Sequence, residues 1–399
     1  MSIFDEIVPR SGSGCFKWDS QGYGPDVIPL WVADMDFKAA PCIREALQKR
    51  LDHGVFGYCH VDEGWYDAMI SWYRTRYGLE LSREGFLYTT GVVPALSAAV
   101  EAFTTEDIVP GMKPRSRKVV IQSPVYNCFF SSVRNYGCTL VDSPLRRVDL
   151  GASRFSYEMD FEDLEAKLQD AALLVLCNPH NPAARVWTAE ELGKVGEIAR
   201  KAGVPVVSDE IHNGIVMPGH RYTPFAAASP ENAACSVTLA SPSKSFNIAG
   251  LQNAFIHCDN PLWRRAIDKA LNINETCDVN PMGVAAAKAA YSPEGAAWLE
   301  ELNLYIHDNW EMLVSMMPPQ FPVAEQEGTY LAWVDIASAG CPASREVEEV
   351  LLRDFKVHIN AGSMYGAEGY IRINMACPRS VLREGVRRVA AGLESLAAK

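Results

Sequence analysis

Several features that would assign this chain to a broad class are lacking. No two of its eleven cysteines stand closer than Cys128 and Cys138, and their number is odd. That excludes a CxxC motif and argues against a disulfide framework, so the thiols fit a reducing compartment. The eight histidines include no HExxH pattern, and no metal site is expected. Basic residues number 37 against 49 acidic ones, and the net charge of −12 is wrong for a phosphate-backbone binder, which needs clustered Lys and Arg. No apolar run reaches bilayer-spanning length. The opening MSIFDEIVPRSGSGCFKW carries Asp5 and Glu6 where a signal peptide would have its apolar core. A cytoplasmic protein with neither nucleic-acid nor membrane partners is expected.

With low-complexity tracts and fixed repeats also missing, 399 residues at 48% hydrophobic and 22% charged content describe an ordinary globular chain, long enough for a large domain and a smaller one. Its middle alternates short apolar runs with helical segments. Four runs turn polar at their carboxyl ends: KVVIQSP (118–124), AALLVLCNP (171–179), VPVVSDE (204–210) and SVTLASPSK (236–244). Between the second and third lies TAEELGKVGEIARKAG. Thr188 and Glu191 have capping-box spacing there, Leu192, Val195, Ile198 and Ala199 share a face, and Gly203 supplies the stop. This pattern predicts a three-layer α/β/α domain around a mostly parallel sheet.

Helices are predicted over 41–54 and 62–78, and a strand, a turn at Gly91 and a helix over 86–103. After about residue 284 comes a long helical stretch broken at Pro293, followed by strands over 329–336 and 370–376 and further helices. The expected organisation is an amino-terminal arm (1–45) packing on a small carboxyl-terminal α+β domain (284–399), with the large domain over 46–283.

Ligands of an open parallel sheet bind outside the carboxyl ends of its strands. The polar residues at those ends are Asn181, Asp209, Ser241, Ser243 and Lys244. Singly, each has a structural reading: Asp209 as a turn cap, Asn181 before Pro182 as turn chemistry, Lys244 as a solvated charge, Tyr126 as packing, Arg372 as a surface residue of a strand; His212, close after Asp209, reads either as a residue touching the site or as a satisfied core histidine. Jointly, an amide, an acid and a lysine at successive strand ends meet the needs of pyridoxal 5'-phosphate. Lys244 would hold the aldehyde as a covalent imine and shuttle protons. Asp209 would keep the ring nitrogen protonated, Asn181 would bond the phenolic oxygen, and Tyr126 would stack on the ring. The phosphate would rest on the turn at Gly91, Val92 and Val93, helped by Ser241 and Ser243.

The segments WVADMDF (31–37), GVFGY (54–58), TTGVVPAL (89–96), SDEIH (208–212) and SKSFNIAGLQ (243–252) resemble the fold-type I pyridoxal phosphate enzymes of the class I/II aminotransferase superfamily, and within it the MalY/PatB-type cystathionine β-lyases. The resemblance implies a pyridoxal phosphate-dependent transferase-like fold and α,β-elimination on a sulfur-containing L-amino acid, giving pyruvate, ammonia and a thiol. It also implies that Arg372 grips the substrate carboxylate, and that Tyr58 reaches the cofactor phosphate of a neighbouring subunit in a homodimer with shared sites. Two positions depart from the wider superfamily. NPAAR stands where relatives read NPTG, and Gln252 stands where aminotransferases commonly place a phosphate-binding arginine, a change that favours the lyase branch. An aminotransferase and a cofactor-binding regulatory protein with residual lyase activity are the alternatives.

Overall fold

The computed structural model describes residues 2–24 and 26–397. Seven strands form its larger sheet: β1 (Phe86–Thr89), β2 (Lys118–Ile121), β3 (Thr139–Asp142), β4 (Leu173–Cys177), β5 (Val206–Asp209), β6 (Ser236–Ala240) and β7 (Ala254–His257). They lie in the order β1-β7-β6-β5-β4-β2-β3. The runs β4, β5 and β6 are buried at every residue, as a sheet covered on both faces requires.

β7 is antiparallel to both of its neighbours, and the other pairings are parallel. An antiparallel strand between β1 and β6 reverses direction twice, so β1 ends on the same edge as β4, β5 and β6. That edge carries Thr89, Cys177, Asp209 and Ala240. The helix Ala189–Ala202 joins β4 to β5. Its ends follow the sequence: Thr188 and Glu191 form a reciprocal capping box, and Gly203 stops the helix in the left-handed region at φ 66°.

The predicted long carboxyl-side helix divides at Pro293, which becomes the first residue of a 24-residue helix, Pro293–Met316. A second sheet has six strands and pairs Tyr370–Asn374 with Leu331–Asp335 and with Asn360–Ala361. The hairpin Arg146–Gly151 and Arg154–Glu158 joins it through Val323–Ala324. Two of its strands therefore come from the middle of the chain. In the arm, Ile28–Pro29 pairs in parallel with Val357–His358. No described helix is long and apolar enough to cross a membrane.

Candidate active site

A cavity of about 190 Å³ opens at the carboxyl edge of the large sheet. Asn181, Asp209, Lys244, Tyr126, Ser241 and Ser243 line it together, and so do Gly91, Val92 and Val93. Gly91 caps the helix Val92–Thr104, whose first amides have no partner within the helix and so present positive partial charge. A Cβ built at Gly91 meets only Pro94, at 3.4 Å, so the approach to those amides is open.

Asp209 is the last residue of β5 and is 5% exposed, with Oδ1 accepting from Ile211 N–H at 3.1 Å. Burial pushes its carboxyl up to about 7, against that hydrogen bond and the charge of Lys244. Lys244 lies in the turn after β6, and its Nζ donates to the Ala33 carbonyl at 2.6 Å. Burial, then the charge of Arg372, brings its amine down to about 8. At neutral pH about a tenth of such a lysine is uncharged, a gain of two orders of magnitude over a free one.

Arg372 sits in the middle of Tyr370–Asn374 and is 3% exposed. Its Nη1 donates to Asn181 Oδ1 at 3.2 Å and its Nη2 to Trp31 O at 3.0 Å, while Nε is buried without a partner. Its guanidinium lies 4.6 Å from the Tyr365 ring centre. It does not line the cavity but touches it through Asn181. Among the described residues it has no carboxylate partner, and a buried cation without a countercharge suits an incoming carboxylate.

Other assignments are adjusted by the geometry. Ser241 Oγ donates to Asn253 O at 2.6 Å and accepts from Ser243 N–H at 3.0 Å. Its proton is therefore committed to the turn, and Ser243 carries the free hydroxyl of the pair. Tyr58 is fully exposed in this chain and lies outside the cavity. Gln252 is exposed, at φ 48°, and does not line the cavity either. In NPAAR, Ala184 takes a left-handed φ of 60° and is fully buried. The turn thus keeps the conformation a glycine would adopt freely, at a strain cost of about 1–2 kcal/mol. Ala184 O accepts from both Glu327 N–H and Gly328 N–H at 3.0 Å, contacts that hold it in place.

His212 lines the cavity, which decides between its two sequence readings, contact with the site and a satisfied core histidine, in favour of the first. It is 3% exposed, and its Nδ1 has no partner. Burial and the charges of Lys244 and Arg372 lower its pKa to about 3, so the ring is neutral. Cys177 and Ala33 also line the cavity. Cys177 ends β4, so the strand-end rule reaches it. Ala33 contributes a backbone carbonyl, for which no side-chain pattern exists.

These groups fit pyridoxal phosphate: an amine of lowered pKa, a buried acid awaiting a cationic partner, free helix amides, and a buried guanidinium. The family model for aminotransferase class I and II matches residues 25–389. The cystathionine β-lyase PatB of Bacillus subtilis is 42% identical, over 98% of this chain and 99% of its own. Among solved structures, cystalysin of Treponema denticola, described as containing pyridoxal 5'-phosphate, matches with a TM-score of 0.90 at 31% identity, covering 98% of this chain and 99% of its own. The pyridoxal phosphate-bound C-S lyase of Staphylococcus hominis matches at 0.86 and 32%, covering 98% and 97%.

Proposed function

The chain belongs to the aminotransferase class I and II family, and on that footing we propose that it is a pyridoxal phosphate-dependent carbon–sulfur β-lyase acting on cystathionine or a related cysteine conjugate. The overall reaction converts the substrate and water into pyruvate, ammonia and a thiol. The observation that carries this reading is the convergence of Lys244, Asp209, Asn181 and the amides after Gly91 on one cavity, in a chain 42% identical to a cystathionine β-lyase.

Pyridoxal phosphate, when bound, supplies an aldehyde for covalent attachment and a ring that takes up the electron pair left as a Cα–H bond breaks. Lys244 holds the cofactor and, once released, its Nζ takes the Cα proton as general base. Asp209, as a carboxylate, would keep the cofactor's ring nitrogen protonated and would gain from it the countercharge that its buried position lacks. Arg372 binds the substrate carboxylate, and its bond to Asn181 ties that grip to the cofactor-facing amide. Neutral His212 offers a hydrogen bond from the cavity wall without adding charge.

A homodimer with shared sites belongs to the same proposal. Tyr58, Phe56, Val55 and Leu51 are each more than half exposed and form an apolar stretch suited to a second copy, which Tyr58 would enter. The boundaries at residues 46 and 284 are proposed too, with the 146–158 hairpin crossing between the units. The unpaired cysteines support a cytoplasmic setting.

Incubation with cystathionine and no keto acid tests the reaction. Steady release of pyruvate and thiol is expected; a single turnover that stops at an aminated cofactor means an aminotransferase instead. Lys244→Ala is expected to lose both turnover and the visible absorbance of the bound cofactor.

A further inference from the structure

Segment 31–37 crosses the site as a strap, its backbone carbonyls held by side chains from the elements beneath it. Trp31 O accepts from Asn360 Nδ2 at 2.8 Å and from Arg372 Nη2 at 3.0 Å. Ala33 O accepts from Lys244 Nζ at 2.6 Å and from the Tyr330 hydroxyl at 2.9 Å. Asn374 Nδ2 donates to Asp34 O at 2.6 Å, and Asn247 Nδ2 to Phe37 O at 2.8 Å.

The strap's acids are clamped by charge. Arg10 reaches Asp34 Oδ2 at 2.8 Å and Asp36 Oδ1 at 2.6 Å. Lys17, fully buried, reaches Asp36 Oδ2 at 2.8 Å and stands 3.7 Å from Asp34 Oδ1. That last oxygen is buried with no hydrogen bond. Gathering two cations and two carboxylates in a largely buried cluster within the arm gains little over apolar packing, so the cluster calls for a reason other than stability.

We propose that this strap positions the reactive lysine: the Ala33 carbonyl is the docking point of the free Lys244 amine, and Asp34, clamped by Arg10 and Lys17, is the countercharge that favours its protonated form. The proposal rests on Lys244 being the cofactor-binding base. It concerns the moment after the lysine has left the cofactor, when it must hold the proton taken from substrate and later return it to solvent or product. Of the charged groups around Lys244, Arg372 opposes its charge, and Asp34, next in the chain to the Ala33 carbonyl that holds the amine, favours it together with Asp209; His212 stays neutral. Tyr330, whose hydroxyl shares the Ala33 carbonyl, is held in its protonated form by burial and by Asp34. Asp34 is therefore the arm's contribution to a balance otherwise set by the sheet.

Asp34→Asn keeps the side chain's size and an acceptor for Arg10 while removing the charge. Two titrations read the result: the pH dependence of the visible band in the cofactor-loaded protein, and the pH dependence of reductive methylation at Lys244 in the full-length chain without cofactor, followed by mass spectrometry. Both midpoints are expected to fall by about one pH unit. Arg10→Gln, which frees Asp34 from a neutralising partner at a partly exposed position, is expected to move both upward. Glu6→Gln, removing a carboxylate from the exposed Lys38 pair of the same arm, is expected to move neither. Unmoved midpoints in folded Asp34→Asn overturn the proposal even if cofactor affinity drops, since a purely structural strap gives that result. If Asp34→Asn does not fold, an unmoved Arg10→Gln overturns it equally. Retention of the visible band by Lys244→Ala would instead overturn the cofactor assignment.

Discussion

Replacing Asp209 by Asn should change the stability of this protein in opposite directions with and without cofactor. Without cofactor, burial raises the Asp209 carboxyl from 3.8 to about 7. Between those values the folded chain retains a proton that the unfolded chain has released, so stability falls as pH rises through that window. The penalty is absent below about pH 4 and complete above about pH 7, where three units correspond to about 4 kcal/mol. An Asn accepts the same Ile211 hydrogen bond and never ionises. Chemical denaturation of the cofactor-free proteins should therefore find Asp209→Asn more stable than the parent, with an advantage that grows by roughly 2–3 kcal/mol between pH 5 and pH 8. With cofactor bound, the proposed pairing of the carboxylate with the ring nitrogen would offset its charge, and the substitution should weaken cofactor retention on dialysis. An Asp209→Asn protein that is equally or less stable than the parent at both pH values would refute the reasoning. It would mean the ionised carboxylate is already satisfied in the cavity.

Arg372→Lys replaces a planar, two-pronged donor with a point charge and loses the geometry shared between Asn181, Trp31 O and the proposed substrate carboxylate. Steady-state kinetics should show kcat/KM lowered roughly a hundredfold, carried largely by KM, the equivalent of about 2–3 kcal/mol in charged hydrogen bonds. Ala184→Gly should leave the thermal midpoint nearly unchanged. Relief of about 1–2 kcal/mol of left-handed strain is offset by about 0.4–1 kcal/mol of unfolded-state entropy and about 0.8 kcal/mol for the buried methyl. Ala184→Val, with a β-branched side chain at the same φ, should lower that midpoint clearly.

The parallel part of the large sheet was legible because each of β4, β5 and β6 is a continuous apolar run ending in polar residues, and because the crossover helix carries its own start and stop signals. β7 was not. AFIH is short, follows directly on the lysine turn, and has nothing to mark it as antiparallel; its direction is decided by the strands it fits between. The hairpin of 146–158 was missed because one of its strands, RRVDLG, is a largely exposed, polar edge strand held by its hairpin partner Arg154–Glu158, which itself gains its place by pairing with distant Val323–Ala324. In the site, strand-end side chains were readable from position. What escaped was chemistry delivered by the backbone, as at Ala33; for His212 the sequence left core and site both open, and its unpartnered Nδ1 is visible only once its surroundings are built. Burial also decided the protonation of Asp209 and Lys244, and burial is a property of the assembled chain.

The hairpin at 146–158 has a consequence for how the chain is made. Its partner strand is 323–324, some 165 residues further along, and arm residues 28–29 find theirs only at 357–358. During synthesis the large sheet has all seven of its strands once residue 257 has emerged, whereas the second sheet stays incomplete until the last fifth of the chain follows. A ribosome-bound intermediate of that length presents a hairpin edge with unpaired amides and carbonyls, a template for premature association. Late, long-range closure of this kind favours slow folding after release.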